Sequence, residues 1–210
     1  MYKAILFDFD GTTAKTMEDN FQAWKHVLKE YGVDLLSEEY FPYEGMNLLR
    51  LSEKFYTDLD NPIELVEKKE EYYIKHNNFM LYDGVEELLR LLIKKGIKTG
   101  LVTSGLKNRL IKTVPQYVFG FFNVEIYGDE GGEKPSPLPY LTAAAKLRVY
   151  PHECLVIENA PPGIESAKNA GMFCIAIAST LDKKYLNKAD IIVDKFSEIK
   201  NLDIIKEIIN

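Results

Sequence analysis

The sequence predicts an α/β fold: a parallel sheet covered by helices, with an all-helical segment inserted after the first strand. Three observations carry this. Short apolar runs that read as buried strands alternate with helical patterns from residue 81 onward, which is the signature of parallel strands joined by crossovers. A first strand precedes them at Lys3–Phe7. Between these parts, residues 15–80 contain helix-period patterns and no strand pattern. The expected division is therefore residues 1–14 with 81–210 as the α/β core and 15–80 as an inserted helical unit.

Taken in order, the opening run ends at Asp8, and Asp10-Gly11 supplies turn chemistry. Met17, Phe21, Trp24, Leu28 and Tyr31 then recur every three or four residues, with Gly32 as the stop of an amphipathic helix. Further helices are expected around Leu48, Leu51 and Phe55, and from Pro62 through Ile63, Val66 and Tyr73. Trp24 reads as packing inside this helical unit. Beyond Asp83-Gly84, a helix through Val85, Leu88, Leu89 and Leu92 stops at Gly96, and a strand follows from Ile97 to Val102. Later strands are expected at Val124–Tyr127, Leu155–Ile157, Phe173–Ile177 and Ile191–Val193. Helices are expected at Leu138–Leu147, Gly163–Ala170 and Ile199–Ile209.

Composition excludes several classes. With 46% hydrophobic and 28% charged residues over 210 positions, the chain can bury a sizeable core, which argues against disorder. The longest uninterrupted apolar stretch, Met172–Ala178, is far short of a bilayer span, so no membrane partner and a cytoplasmic location are expected. The net charge of -6 lies wholly in residues 15–80, where 8 basic face 14 acidic residues. That segment should repel polyanions, so no nucleic-acid partner is expected. Cys154 and Cys174 each sit in a strand-like run and read as inert core thiols. His26, His76 and His152 are scattered, without the spacing of a zinc site. Gly131-Gly132-Glu133-Lys134 is followed by proline, not Ser or Thr, so it lacks a P-loop frame.

The chemistry is expected at the carboxyl ends of the strands, where open parallel sheets bind ligands. Asp8-Phe9-Asp10-Gly11-Thr12 follows the first strand, Thr103-Ser104-Gly105 the second, and Glu158-Asn159 the strand at Leu155. Together they offer hard oxygens suited to magnesium and donors suited to a phosphate. Asp8 can attack phosphorus to form an acyl phosphate. Asp10 can protonate the leaving oxygen and then deprotonate water. Thr103 or Ser104 and the ammonium of Lys134 are natural donors to phosphate oxygens. Each piece alone has a plainer reading, as a turn, a helix cap or a solvated lysine; their conjunction points to phosphoryl transfer.

These motifs resemble the haloacid dehalogenase superfamily, in the branch that includes β-phosphoglucomutase and phosphoglycolate phosphatase. The resemblance rests on Phe7-Asp-Phe-Asp-Gly-Thr12, Leu101-Val-Thr-Ser-Gly105, Gly132-Glu-Lys-Pro-Ser-Pro137 and the segment Val156–Met172, and it covers essentially the whole chain. It implies a Rossmann-like core and makes residues 15–80 the helical cap. It further implies Asp8 as nucleophile, Asp10 as acid/base, Thr103 and Lys134 as phosphoryl ligands, and Mg2+ near Asp8, Asp10, Glu158 and Asn159. Gly11, Thr12, Ser104 and Gly105 are the accompanying phosphate-loop positions, and Thr16, Asn20, Glu44 and Arg50 are the cap-side candidates for substrate contact.

The departures from the pattern separate the possible activities. The usual Glu-Asp pair is Glu158-Asn159, which replaces an anionic oxygen near the metal by a neutral amide. Thr13 stands where an apolar residue is common. The helix Thr16–Trp24 resembles that of the mutase, yet Asn20 replaces its histidine, and Glu44 stands where the mutase has a lysine. These changes favour a phosphatase acting on a small phosphorylated metabolite such as a sugar phosphate. The alternatives are a phosphosugar mutase and a catalytically silent phosphate-ester-binding protein. Arg50 is a candidate for a second anionic group.

Overall fold

A computed structural model of the chain describes residues 2–56 and 61–209. Its strands are β1 (Ala4–Phe7), β2 (Lys98–Val102), β3 (Val124–Ile126), β4 (Cys154–Glu158), β5 (Phe173–Ile177) and β6 (Ile191–Val193). They form one sheet in the order β3-β2-β1-β4-β5-β6, and every pairing is parallel. The α/β class and every expected strand position agree with this sheet to within a residue or two.

Alternation along the strands explains why the sheet is covered on both faces. Ile5, Phe7, Leu155, Ile157, Ile175 and Ile177 enter one hydrophobic layer. Ala4, Leu6, Cys154, Val156, Cys174 and Ala176 enter the other. A period of two sends successive side chains to opposite faces, and both faces here are apolar because both are covered. Both cysteines are free and buried, and burial pushes the Cys154 thiol up to about 12, in keeping with inert core thiols.

The helices are α1 (Met17–Glu30), α2 (Ser37–Tyr40), α3 (Leu48–Phe55), α4 (Pro62–His76), α5 (Val85–Lys94), α6 (Lys107–Thr113), α7 (Gln116–Phe119), α8 (Leu138–Leu147), α9 (Pro161–Asn169) and α10 (Asp203–Ile209). Helices α5, α6, α7 and α10 supply the first layer, and α8 and α9 the second. The expected single helix Ile199–Ile209 is divided: a 3-10 segment over Phe196–Asn201 is followed by extended Leu202 and then α10. The tighter turn lets Phe196 and Ile199, three residues apart, both bury in the same layer.

Helices α1 to α4 lie between β1 and β2 and enclose a third hydrophobic cluster, which includes Trp24, Leu28, Leu51 and Leu65. Trp24 is fully buried in it and meets Phe55 edge-on, with ring centroids 6.0 Å apart. Asp58 and Asp60, two of the acidic residues of the insertion, lie outside the described residues. The two connections to the sheet run side by side: Lys15 N–H donates to the Met80 carbonyl (2.7 Å), Tyr82 N–H to the Thr13 carbonyl (3.1 Å), and Ala14 bridges Leu81 antiparallel. No described helix is long and apolar enough to cross a membrane.

Candidate active site

The strand order reverses at β1, so the ends of β2, β1 and β4 adjoin and open one crevice. In register, Phe7 lies opposite both Leu101 and Ile157. Asp8, the next residue, is therefore flanked by the chain entering Thr103 on one side and Glu158 on the other. Its backbone is fixed from both directions: Asp8 N–H donates to the Ile157 carbonyl at 3.0 Å, and the Thr13 hydroxyl donates to the Asp8 carbonyl at 2.6 Å. The hydroxyl at position 13 thus has a structural use.

Lys134 arrives from the loop after β3, and its ammonium lies 2.7 Å from Asp8 Oδ1, 2.7 Å from Glu158 Oε1 and 3.2 Å from the Val102 carbonyl. All three groups, Asp8, Lys134 and Glu158, are buried. One ammonium thus serves two carboxylates. Burial opposes the charge on Lys134, but both carboxylates hold it protonated. Burial and the neighbouring charge of Glu158 push Asp8 up to about 7, with Lys134 offsetting only part of the rise.

Glu158 is saturated with donors. Oε1 accepts from Lys134 and from the Tyr140 hydroxyl at 3.2 Å; Oε2 accepts from the backbone N–H groups of Asn159 (2.7 Å) and Ala160 (2.9 Å). It fits because residue 163 is glycine, where an added Cβ would stand 1.5 Å from Oε1. Asn159 turns toward the first loop: its Oδ1 accepts from the Thr12 hydroxyl at 2.9 Å, and its Nδ2 lies 3.4 Å from the Thr180 hydroxyl. Gly11 permits this approach, since it has φ of +80° and a Cβ there would meet Asn159 Nδ2 at 2.2 Å.

Asp10 faces the helical insertion. Its Oδ1 accepts from the Thr16 hydroxyl at 2.6 Å and from Asn20 Nδ2 at 3.1 Å. Arg109, from α6, binds both oxygens: Nη1 lies 3.1 Å from Oδ1 and Nη2 2.5 Å from Oδ2. Burial alone would raise the Asp10 carboxyl, but the Arg109 guanidinium, with help from Thr16 and Lys69, holds it below the ordinary range. The insertion adds a second layer of partners: Lys69 donates to Asn20 Oδ1 (2.7 Å) and Glu70 Oε1 (2.9 Å), and the Tyr73 ring lies 4.7 Å beneath the Arg109 guanidinium.

Between the insertion and the sheet lies a small closed pocket of about 20 Å3, lined by Asp8, Asp10, Asn20, Glu44, Thr103, Ser104, Gly105 and Arg109 with apolar Met46, Leu48 and Leu51. Its floor belongs to the sheet and its roof to the insertion. The Ser104 hydroxyl donates to the Gly45 carbonyl at 2.5 Å, and the Thr103 hydroxyl accepts from Gly105 N–H at 2.9 Å. Of the positions expected from sequence, Gly11, Thr12, Thr16, Lys134, Glu158 and Asn159 lie behind the pocket lining, in contact with the residues that form it or with one another, and Arg50 stands apart from both. It is largely exposed, faces Glu53 (3.6 Å) and Glu133 (3.8 Å), and does not line the pocket. A larger groove of about 280 Å3, beside Lys15, Tyr82 and Ser197, contains none of these groups.

Arg109, Lys69 and Tyr140 are the site residues that sequence reading missed. The two cations carry one usable signal: each occupies an inward position of a helical stripe, Arg109 three residues after Leu106 and Lys69 three or four residues from Val66, Leu65 and Tyr73. A charge at such a position is buried and needs a partner.

The residues fit a hard cation. Two buried carboxylates, Asp8 and Glu158, share the single ammonium of Lys134, so carboxylates outnumber cations there. Among the described residues, His, Cys, Asp and Glu form no preassembled cluster of three or more.

A parallel sheet of this order, with an aspartate pair at its switch point and a buried lysine beside it, defines an enzyme class, and the comparisons agree. The family model for haloacid dehalogenase-like hydrolases matches residues 5–177. Validoxylamine A 7'-phosphate phosphatase from Streptomyces hygroscopicus subsp. limoneus is 28% identical over 95% of this chain and 97% of its own. Beta-phosphoglucomutase from Bacillus subtilis (strain 168) is 28% identical over 94% of this chain and 91% of its own. Among solved structures, a HAD hydrolase of family IA, variant 3, from Entamoeba histolytica HM-1:IMSS superposes with a TM-score of 0.84 at 28% identity, covering all of both chains. The chain belongs to the haloacid dehalogenase-like hydrolases and is an enzyme of that family.

Proposed function

We propose that the protein is a Mg2+-dependent phosphatase of small sugar phosphates that works through an aspartyl phosphate on Asp8, with Asp10 as acid and base. One observation carries the reading: the two aspartates line the same small pocket, Asp8 against the Lys134 ammonium and Asp10 against the Arg109 guanidinium and the insertion's Thr16 and Asn20. Their resting charge states are the reverse of what the first step needs, so Asp8 must give up its proton and Asp10 take one up when substrate binds.

In the first half-reaction an Asp8 oxygen attacks phosphorus, the bond to the leaving oxygen breaks, and Asp10 gives that oxygen a proton. In the second, water attacks the acyl phosphate, its proton passes to Asp10, and phosphate leaves with Asp8 restored. Lys134 and the Thr103 hydroxyl would hold the equatorial oxygens. Asp8 and Asn159 would hold Mg2+, with Glu158 joining by giving up one of its four donors and the Asp10 carboxylate committed to Arg109; when bound, the ion would add positive charge at the transferring group. With four donors on its oxygens, Asp10 is drawn in its ionised form, which suits the hydrolytic half; acting as acid requires it to take a proton and release Arg109. Residues 15–80 would serve as the cap. A pocket of about 20 Å3 has room for roughly one water, so substrate entry requires this roof to lift.

The rival activity is that of a mutase, such as the B. subtilis relative. Asn20 argues against it: it reaches Asp10 Oδ1, yet its amide cannot carry a proton between states as the mutase histidine does. A product-resolved assay decides. Released phosphate from a hexose or hexitol phosphate, lost in the Asp8→Asn variant and on chelation, supports the phosphatase; conversion of β-glucose 1-phosphate to glucose 6-phosphate without released phosphate would overturn it.

A further inference from the structure

Glu44 lies on the roof of the pocket, on the loop between the 3-10 turn Phe41–Tyr43 and α3. It is 7% exposed, and its Oε2 has no hydrogen-bond partner among the described residues. A buried carboxyl oxygen left without a donor is costly, and one on the wall of a substrate pocket can be satisfied by the substrate.

The charges around it restrict what that substrate can be. Arg109 is the one cation among the described residues that line the pocket, and both of its Nη atoms serve Asp10. Lys69 is divided between Asn20 and Glu70, and Lys134 between Asp8 and Glu158. Beyond the phosphoryl position, then, the pocket presents carboxyl groups and an amide; the remaining Arg109 Nε, which makes no hydrogen bond among the described residues, faces the Glu70 carboxylate at 3.6 Å. Burial, and after it the charge of Asp10, push Glu44 up to about 8, with Lys69 and Arg109 offsetting part of the rise.

We infer that Glu44 is a specificity-determining residue: its carboxyl receives a hydroxyl of an otherwise uncharged leaving group, and the pocket disfavours phosphate esters that carry a second anionic group. The inference rests on the phosphatase reading and narrows it to polyol monoesters, with phosphoglycolate and sugar bisphosphates excluded. Apolar Met46, Leu48 and Leu51 close the remaining wall against the carbon chain.

The test compares a hexitol 6-phosphate with phosphoglycolate as substrates of the wild type, Glu44→Leu and Glu44→Gln. The wild type should favour the hexitol ester by about tenfold or more in kcat/KM. Glu44→Leu should raise KM for the hexitol ester about tenfold with kcat changed less than about threefold, and should leave KM for phosphoglycolate unchanged or lowered; Glu44→Gln, which keeps a polar group of the same shape, should retain most of the preference. A wild type that favours phosphoglycolate, or a Glu44→Leu variant that shifts both KM values together, overturns the inference. Calorimetric titration of the same two esters into the Asp8→Asn variant, with and without Glu44→Leu, measures the preference without turnover. If neither ester is hydrolysed, the phosphatase reading fails, and these dissociation constants alone uphold or overturn the role of Glu44.

Discussion

Arg109 and Asp10 meet as two forks, Nη2 to Oδ2 at 2.5 Å and Nη1 to Oδ1 at 3.1 Å, with the guanidinium 3% exposed. The pair joins α6, under the sheet's second strand end, to the loop that carries both aspartates. Removing one partner of a buried ion pair strands the other. Arg109→Leu should therefore lower unfolding free energy by about 3–5 kcal/mol and reduce turnover. Arg109→Lys, which keeps the charge but not the fork, should lose less of each. Urea denaturation alongside kcat for the two variants checks both.

Asp8 combines a catalytic assignment with an unfavourable resting charge. The Asp8→Asn variant should lose hydrolysis by about 10^4-fold or more and still fold, being at least as stable as the wild type near pH 8, because the displaced charge is one that burial and Glu158 oppose. Phosphate release and thermal melting measure the two effects. Covalent labelling with radioactive phosphate should be seen on the wild type and not on the variant.

Glu44 makes stability pH-dependent with a defined sign. Its carboxyl is raised from 4.5 to about 8 in the fold, so the folded state binds its proton more tightly than the unfolded chain does. The stability linked to that proton is full below about pH 4.5 and is lost as pH rises through about 8. Glu44→Gln removes the linkage. The variant should match the wild type near pH 5 and exceed it by up to a few kcal/mol near pH 9, as read from denaturation curves at both pH values.

Asn159 offers a neutral oxygen where the family pattern has a carboxylate. Asn159→Asp should tighten Mg2+ about tenfold, since charge count sets the affinity of such sites. Titrating Mg2+ into chelator-treated protein tests this through both activity and melting temperature, the latter independent of turnover.

Gly163 touches no substrate position, yet Gly163→Ala would place a methyl carbon 1.5 Å from Glu158 Oε1. Glu158 would be displaced from four donors at once. A stability loss of about 1–3 kcal/mol and a fall in activity comparable to that of Glu158→Gln are expected, from melting and steady-state assays of both variants.

Much of this arrangement is legible in the sequence, for physical reasons. The strands end in short uninterrupted apolar runs that stop at polar residues, so Asp8, Thr103 and Glu158 could be set beside one another from sequence alone. Asp10 could be set just beyond the first strand end, and Asn20 and Glu44 on the facing side by resemblance. The partners that fix their charge states could not. Arg109 lies 99 positions from Asp10 and Lys69 49 from Asn20, and nothing local pairs them; only the placing of α6 against the loop after β1 and of α4 against α1 does. Arg50 shows the converse: as a helix cation it was a reasonable anion ligand, but the turn of α3 directs it to Glu53 and Glu133. The 3-10 segment over Phe196–Asn201 escaped because an apolar stripe alone does not distinguish three residues per turn from 3.6.

The paired crossings at Thr13–Lys15 and Met80–Tyr82 have an architectural consequence. The polypeptide departs from the sheet and comes back at a single doorway, its two threads bonded to each other, so excising everything between them would leave ends close enough for a short turn to join. The groups assigned to the chemistry, Asp8, Asp10, Thr103, Lys134 and Glu158, would all remain, whereas Glu44 and Asn20 would go. On the proposed reading, selectivity and shielding from bulk water would be carried on a cassette, and one borrowed from a relative could be grafted at the same doorway to redirect the catalyst without rebuilding it.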